Sequence, residues 1–327
     1  MKRSYLYLFS FVLLVILFIL SLQIGVIHLQ TPLIKLIGKN SGVDATTVWQ
    51  IRFPRAMGAL LVGAALGVAG AIAQGIFRNP LAEPALIGLT SGATLGTIAV
   101  ISTGVAEFGS RTNVESAILF AALSAFLIYF LAPQKGFGFL ITGIAISATL
   151  TAIAGVMISI SSKPGVQAIS FWNFGSLALL NSQIIKVIAP FIEVGFILAL
   201  FVSRKLDIYS LGDNSARFMG INPKAVRVWA IIALAFLIGP SVSAVGAIAF
   251  VGLLVPHIVR LLIGPSHRKM VGLSAMIGAD LLLLADLLVR TIFQPHEIPL
   301  GLITSLIGAP VLILLLRTKN AMWVSHD

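Results

Sequence analysis

The sequence predicts an all-α integral membrane protein with about ten transmembrane helices. Hydrophobic residues make up 58% of its 327 residues and charged residues only 10%, whereas a soluble domain carries roughly 25% charged residues. The mean hydropathy is +1.05. Apolar runs such as 9–20 and 231–238 are continuous, while the strands of a membrane barrel alternate apolar and polar residues. Helices are therefore the spanning elements that satisfy the backbone in lipid.

The apolar runs are long enough to cross a bilayer, which needs about 20 residues as a helix. The predicted spans are 5–26, 55–76, 88–105, 114–132, 138–161, 184–203, 226–245, 249–263, 270–290 and 300–317. The third and eighth are short and interrupted by Gly or Pro. The first run follows Lys2 and Arg3 but lacks a small-residue cleavage site, so it is interpreted as a retained helix rather than a signal peptide.

The distribution of basic residues favours a cytoplasmic N-terminus. With ten spans the C-terminus is then cytoplasmic too, and 14 of the 22 Lys and Arg residues fall on the cytoplasmic side against 8 outside. The net charge of +11 is spread between apolar runs instead of forming one patch, so it gives no indication of nucleic-acid binding.

Five spans precede a long cytoplasmic loop and five follow it. We therefore treat the chain as a single domain, 1–327, with halves 1–183 and 184–327 of opposite orientation, an arrangement that many transporters use for alternating access. Ala85–Leu89 (ALIGL) resembles Ala249–Leu253 (AFVGL), while Gly70–Ala73 matches Gly246–Ala249 at a different offset. The register of this internal repeat stays open.

Glycines recur at four-residue spacing on two predicted helices, as Gly63 and Gly67 and as Gly88, Gly92 and Gly96. In lipid, this spacing lets two helix backbones approach closely. We expect packing within the chain, and a contact that slides during transport is the alternative.

A polar segment, 206–223, interrupts the apolar pattern on the predicted cytoplasmic side. Asp213 is suited to cap a short helix, Gly220 to end it, and Asn222-Pro223 to begin the next. A short helix outside the membrane needs something to pack on, so we interpret the segment as a docking element for a cytoplasmic partner. A solvated loop is the alternative.

Three acidic residues, Glu193, Asp280 and Asp286, fall within predicted spans, where charge is costly and often functional. Asp286 lies one helical turn before Arg290, so an ion pair would explain it. Glu193 and Asp280 have no evident role. The sequence has no P-loop, HExxH or GxSxG motif, no cysteine, and no metal-ligand spacing among its five histidines. We expect no enzyme, no metal and no cofactor, so active transport would draw on another subunit or an ion gradient.

Several strings resemble the permeases of binding-protein-dependent ABC importers for iron–siderophore, haem and cobalamin ligands. They are RFPRAMGALLVGAALGVAGAIAQGIFRNPLAEPALIGLTSGA (52–93), SLGDNSARFMGIN (210–222), GAIAFVGLLVPHIVRLLIGPSHRK (246–269), LLLLADLLVR (281–290) and EIPLGLITSLIGAPVLILLL (297–316). Their order and spacing match over nearly the whole chain.

The resemblance implies a type II importer permease that dimerises with a second copy or a paralogue. Two cytoplasmic ATPase subunits, which bind ATP and Mg, would lie below it and a substrate-binding protein outside. The segment 206–223 matches the family's coupling loop, and the residues expected to contact the ATPase are Leu211, Gly212, Asp213, Ala216, Arg217 and Gly220.

By the same resemblance, the binding protein would dock on Arg52, Arg55 and Arg290. Anchoring of these arginines to lipid headgroups is the alternative. Spans 138–161 and 300–317 would line the pathway, with an inner gate near Gly136, Phe137 and Gly138 and with Ser147 along it. Phe137 and Asp280 stand where relatives commonly have small residues, which leaves the gate residue and the role of Asp280 open.

The sequence thus predicts a multi-pass permease of the bacterial cytoplasmic membrane that imports an iron–siderophore-type ligand. Haem and cobalamin are the alternative ligands. A proton-coupled secondary transporter that uses Glu193, Asp280 or Asp286 is a competing function, and a membrane scaffold or receptor is another.

Overall fold

The structure, a computed structural model, describes residues 3–27, 29–33, 42–132, 138–161, 172–294 and 296–319. Within these ranges the chain consists of helices and the loops that join them and forms no strand. In chain order the helices are α1 (Arg3–Gln23), α2 (Val43–Ile76), α3 (Leu89–Thr103), α4 (Arg111–Leu131), α5 (Gly138–Ile160), α6 (Ser182–Tyr209), α7 (Asp213–Phe218), α8 (Pro223–Val245), α9 (Val251–Ile263), α10 (His267–Ile292) and α11 (Leu300–Lys319).

All ten predicted spans coincide with helices, and the described ranges contain two further short helices, α7 and the 3₁₀ helix Pro84–Ile87. Among the residues that the structure describes, seven helices are long and apolar enough to cross a membrane, and α3, α9 and α11 are shorter apolar helices. Two boundaries differ from the predicted ones. α2 begins at Val43 because a π-helical stretch, Thr47–Arg52, joins a short helical turn to the predicted span. α6 continues through its polar end to Tyr209.

Side-chain caps fix several helix starts. The Ser110 side chain accepts a hydrogen bond from Asn113 N (3.3 Å) at the start of α4, and Asn181 accepts one from Ile184 N (2.9 Å) at the start of α6. At the start of α8, Asn222 accepts a hydrogen bond from Lys224 N at 3.0 Å. Each cap satisfies a backbone donor that has no partner within its own helix.

The buried helix α2 forms the centre of the bundle and packs along α10. A Cβ added at Gly63 would lie 2.4 Å from the Gly278 carbonyl oxygen, and one added at Gly67 would lie 2.2 Å from the Ser274 oxygen. Nothing larger than glycine fits between these two backbones. The spaced glycines of α2 therefore pack within the chain, as expected.

The glycines of α3 have the same role against α4. A Cβ at Gly92 would meet the Phe120 carbonyl oxygen at 2.5 Å, and a Cβ at Gly96 would meet the Ser116 oxygen at 2.6 Å. Ser116 Oγ also donates a hydrogen bond to the Gly96 oxygen (2.9 Å). The close approach of α3 and α4 is thus stabilised by van der Waals contact and by a hydrogen bond between the helices.

The two short helices, α3 and α9, begin in similar ways. Gly88 precedes α3 and Phe250 precedes α9, and both have left-handed backbone conformations with φ of 75° and 67°. The match of Ala85–Leu89 with Ala249–Leu253 pairs these two helix starts. The rival match pairs the last two turns of α2 with a non-helical stretch after α8, so local structure favours the first. The division into halves at residue 183 stays a prediction.

Candidate functional site

The polar segment 206–223 folds into α7, held between the ends of α6 and α8. Gly212 precedes α7 with φ of 113° and Gly220 follows it with φ of 77°, conformations that L side chains rarely adopt. Ile221 N donates a hydrogen bond to the Ala216 carbonyl oxygen at 2.9 Å, which closes the end of the helix. Asp213 lies at the first helical position, directly after the cap, and not at the cap itself as predicted.

Two arginines hold Asp213 and with it the start of α7. Arg78 Nη2 lies 2.6 Å from Asp213 Oδ1, and Arg227 Nη2 pairs with the other carboxylate oxygen. Both arginines also bind Tyr209, since Arg78 Nη2 donates to its carbonyl oxygen and Arg227 Nε to its hydroxyl, each at 2.7 Å. Burial alone would raise the pKa of Asp213, but the two guanidinium groups hold that pKa below its usual value. The carboxylate therefore stays charged and paired at neutral pH.

Exposed apolar side chains lie at both ends of α7, with the polar Asn214 exposed between them. Phe218 is 92% exposed, Leu211 61% and Met219 60%, and Arg217 is exposed beside them, while Ala216 is buried against the body of the protein. Aromatic residues, Met and Arg are enriched at protein interfaces. This patch lies outside the predicted apolar spans.

At the opposite end of α2, Arg55 and Arg290 share one buried carboxylate. Arg55 Nε lies 2.8 Å from Asp286 Oδ1 and Arg290 Nε lies 2.9 Å from Asp286 Oδ2, and the Asp286 side chain is fully buried. Arg55 Nη1 also pairs with Glu297 Oε1 at 3.1 Å, and that glutamate is 59% exposed. The expected ion pair of Asp286 with Arg290 is confirmed, and Arg55 is a second partner.

Arg52 and Arg290 fasten the C-terminal end of α1. Arg52 Nη1 donates hydrogen bonds to the Leu22 and Gln23 carbonyl oxygens at 3.0 and 2.5 Å. Arg290 Nη2 donates to Ser21 Oγ at 2.6 Å. These carbonyls are among the last of α1 and have no partner within the helix. The three arginines proposed for docking thus have partners within the chain, and they line a cavity of about 130 Å³ together with Glu297.

A sequence profile of the FecCD transport family matches residues 13–318. The chain belongs to the FecCD transport family. It is 35% identical over 313 residues to the iron-uptake system permease protein FeuB of Bacillus subtilis, covering 92% of each chain. It is 37% identical over 321 residues to the hemin transport system permease protein HmuU of Yersinia pestis, covering 95% of each.

Solved structures agree with this assignment. A structure described as an inward-facing conformation of a metal-chelate type ABC transporter matches 97% of this FecCD chain and 100% of its own, with a TM-score of 0.84 and 30% identity. PsaBC from Streptococcus pneumoniae in complex with Fab, at 17% identity and a TM-score of 0.63, shares the fold. Members of the FecCD family are permease subunits of ABC importers, so the chain is a transport subunit and not an enzyme.

The expected gate lies at the start of α5. Gly138 is the first residue of α5, and Gly136 and Phe137 lie outside the described residues. Ser147 is half-buried, and its hydroxyl oxygen has no hydrogen-bond partner among the described residues. In this FecCD chain α5 is largely exposed, and Thr149 Oγ1 donates back to the Ala145 carbonyl oxygen at 2.9 Å. Such a hydroxyl offers little to a passing ligand beyond a weakly polar surface.

The acidic residues of the spans have different surroundings. Asp280 in α10 is buried and accepts a hydrogen bond from Ser10 Oγ of α1 at 2.5 Å. Glu193 in α6 is exposed. Only Asp286, among these three, pairs with arginine in the described part of the chain. No group of three or more His, Cys, Asp or Glu residues in the described ranges could hold a metal ion.

The sequence did not point to the network around Asp213, in which Arg78 and Arg227 bind both this carboxylate and Tyr209. Arg78, Tyr209 and Arg227 belong to three different elements, and Arg78 is 135 residues from Asp213. The sequence also missed a second contact at this end, where the Asp207 carboxylate accepts a hydrogen bond from His267 N at 2.6 Å and so caps α10. Arg78 lies with Asn79 and Glu83 in a polar stretch of an otherwise apolar region, and this stretch and the segment 206–223 are the sequence signals for the network.

Proposed function

We propose that the chain forms the translocation pathway of an importer for an iron–siderophore-type ligand, and that a separate ATPase drives it through α7. The observation that carries this proposal is the exposed apolar patch of α7, fixed to the protein by the ion pairs of Asp213. The sequence contains no nucleotide-binding motif, so the energy for transport would come from a partner.

The shape of α7 supports its role as the ATPase contact. Phe218 projects from the end of a helix whose start is clamped by Arg78 and Arg227, so a push on the ring would move the helix as one unit. The glycines Gly212 and Gly220 permit the sharp turns on both sides. A bulky residue at either position would strain the turn by about 1–2 kcal/mol and displace the patch.

A second permease copy or a paralogue would complete the pathway. The faces that support this are those of α5 and α11, where Ile144, Val156 and Leu306 are exposed. A Cβ added at Gly155 of α5 would meet no atom of the described residues within 4 Å, so this part of the chain leaves the surface open. In a dimer, two such surfaces would enclose a weakly polar channel that passes a large ligand without retaining it.

The ligand class is supported by the names of relatives. Besides FeuB, the iron(3+)-hydroxamate import system permease protein FhuG of Bacillus subtilis is 36% identical over 324 residues. HmuU is named for hemin, and the cobalamin import system permease protein BtuC of Halobacterium salinarum is 33% identical over 278 residues. An iron–siderophore ligand is our proposal, and haem and cobalamin are the alternatives.

A substrate-binding protein would meet the end that carries Arg52, Arg55 and Arg290. Arg55 and Arg290 pair there with the carboxylates of Asp286 and Glu297, and Asp44 interacts electrostatically with Arg52. The three guanidinium groups would suit acidic side chains of a partner that replace these internal carboxylates. The basic-residue bias supports an orientation in which this end lies outside and both termini lie in the cytoplasm. The membrane would be a bacterial cytoplasmic membrane. Docking would require acidic groups of the partner to compete with Glu297 for Arg55.

Reconstitution tests the proposal. Liposomes containing the permease, its ATPase and its binding protein should take up the iron–siderophore only with ATP and Mg. Gly212→Leu and Gly220→Leu should abolish uptake while the complex remains intact, and Arg111→Gln, in an exposed i,i+4 pair with Glu115, is the matched control. Uptake that continues without the ATPase and collapses with the proton gradient would instead identify a secondary transporter.

A further inference from the structure

A buried glutamate joins two loops that are far apart in sequence. Glu83 is 7% exposed, and its Oε1 accepts a hydrogen bond from the backbone N–H of Phe250 at 2.5 Å across 167 residues. Phe250 has a left-handed backbone (φ 67°) and directly precedes α9. Its N–H is one of the donors that a helix start leaves without an internal partner, and the carboxylate also favours the positive end of the helix dipole.

This contact lies inside the bundle. A Cβ added at Gly70 would be 1.8 Å from the Gly252 carbonyl oxygen, so the start of α9 packs directly on α2. Gly70 is six residues before the end of α2, a rise of about 9 Å at 1.5 Å per residue. Pro84, next to Glu83, packs on the same turn of α9, 3.0 Å from a Cβ at Gly252. A carboxylate at this depth is costly unless it has a role.

The loop that carries Glu83 is also bound to α7. Arg78, five residues earlier, pairs with Asp213 and donates to the Tyr209 carbonyl oxygen. Backbone hydrogen bonds keep the intervening turn compact, from Asn79 N to the Gln74 oxygen (3.2 Å) and from Ala82 N to the Asn79 oxygen (3.1 Å). A displacement of α7 therefore reaches Glu83 through a short, hydrogen-bonded segment.

On its other side, Phe250 rests on α11. A Cβ added at Gly308 would lie 2.5 Å from Phe250 Cβ and 2.7 Å from its Cγ. Gly308 is buried while Leu306, on the opposite face, is 71% exposed. Phe250 therefore packs directly on the middle of α11, and a shift of its backbone would change this contact.

We infer that Glu83 is a positioning residue that transmits the movement of α7 to α11 by holding the Phe250 backbone. This inference rests on the proposed function, because α7 must be moved by an ATPase and α11 must line the pathway. The hydrogen-bond acceptor is what matters, so glutamine, which keeps a carbonyl oxygen at the same reach, should replace glutamate. Leucine, of similar size, has no acceptor and should break the link.

The test follows the exposed face of α11 in the assembled transporter. The chain has no cysteine, so Leu306→Cys provides a single thiol whose labelling rate is measured in liposomes with and without ATP. We expect ATP to change the rate at least fivefold in the parent and in Glu83→Gln, a response typical of coupled sites. The Glu83→Leu variant should lose that response. The transporter that contains it should still hydrolyse ATP through its ATPase, with little uptake per ATP hydrolysed.

A second variant tests the same link from α11. Gly308→Ala forces Phe250 away from α11 and should lose the labelling response as Glu83→Leu does. Combining Gly308→Ala with Glu83→Leu should cause no greater loss than either change alone. Gly272→Ala is the matched control, because its Cβ would meet Tyr7 at an ordinary 3.6 Å.

A parent-like response in Glu83→Leu or Gly308→Ala would overturn the inference, and so would loss of the response in Glu83→Gln. Absence of any ATP response in the Leu306→Cys parent would overturn the proposed function itself.

Discussion

Two arginines at opposite ends of α2 each pair with an aspartate from another element, and the two pairs differ in burial. Arg55 meets Asp286, with side chains 10% and 0% exposed, while Arg78 meets Asp213, with side chains 35% and 34% exposed. The charges are the same, but the first pair joins helices within the fold and the second fixes a small helix at its surface.

This difference in burial indicates that the first pair contributes to folding and that the second contributes to the movement of α7. A buried ion pair contributes little net stability, but removing one partner leaves an uncompensated charge in a poorly solvated place. A half-exposed pair is screened by water and costs little to break. The buried pair of Arg55 and Asp286 should therefore determine whether the protein folds. The half-exposed pair of Arg78 and Asp213 should determine whether α7 moves with a bound partner.

The largest effect is expected at the buried pair. Asp286→Ala leaves the guanidinium groups of Arg55 and Arg290 without their shared carboxylate and should lower the free energy of unfolding by about 3–5 kcal/mol. Thermal unfolding of the purified protein measures this. Glu297→Ala removes the exposed partner of Arg55 and should cost less than about 1 kcal/mol. Equal losses in the two variants would refute the distinction.

The next effect is expected at Phe218, the most exposed side chain of α7. Phe218→Ala should weaken binding of the ATPase by about 2 kcal/mol or more, the loss typical of an aromatic hot spot, and should leave thermal unfolding unchanged. Titration of the ATPase onto the reconstituted permease gives the affinity. An unchanged affinity would show that the ring lies outside the interface.

A smaller effect is expected at Asp213. Asp213→Asn should reduce ATP-driven uptake by weakening both arginine contacts, with less change in stability than Asp286→Ala. Because the pKa of Asp213 is lowered from 3.8, its stabilising contribution is present above that pH and is lost as the pH falls through the lowered value. The difference in the free energy of unfolding between the parent and Asp213→Asn should therefore stay constant from pH 8 to 5.

The smallest effect is expected at the exposed pair of Arg111 and Glu115 in α4. Arg111→Gln should change the free energy of unfolding by no more than about 0.5 kcal/mol, the value of an i,i+4 pair on a helix. A larger change would mean that exposed pairs in this protein carry more energy than burial predicts.

Much of the fold follows from the sequence because hydropathy, glycine spacing and caps are local signals. Asn222 and Pro223 predicted the start of α8, and Gly63 and Gly67 predicted a close helix contact. The extension of α2 back to Val43 was missed because Thr47–Arg52 is less apolar than the span that it joins. Its π-helical conformation is not encoded by a periodic pattern.

The site was predictable as a segment but not as a network. Segment 206–223 stands out by polarity, yet the contact of Arg78 with Asp213 depends on how α2, α6 and α8 come together. For the arginines proposed for docking, the sequence predicts a shared end of the bundle but not their contacts within the chain. No local pattern predicts that Arg52 binds the last carbonyl oxygens of α1.

The most direct test of the account asks whether an ATPase covers α7. In this cysteine-free chain, Asn214→Cys places one thiol on the exposed surface of α7, and Val105→Cys places one in the loop between α3 and α4, at the other end of the bundle. We predict that adding the ATPase slows thiol labelling at position 214 about tenfold, equivalent to ~1.4 kcal/mol, and leaves position 105 unchanged. Equal labelling rates at position 214 with and without the ATPase would contradict the account.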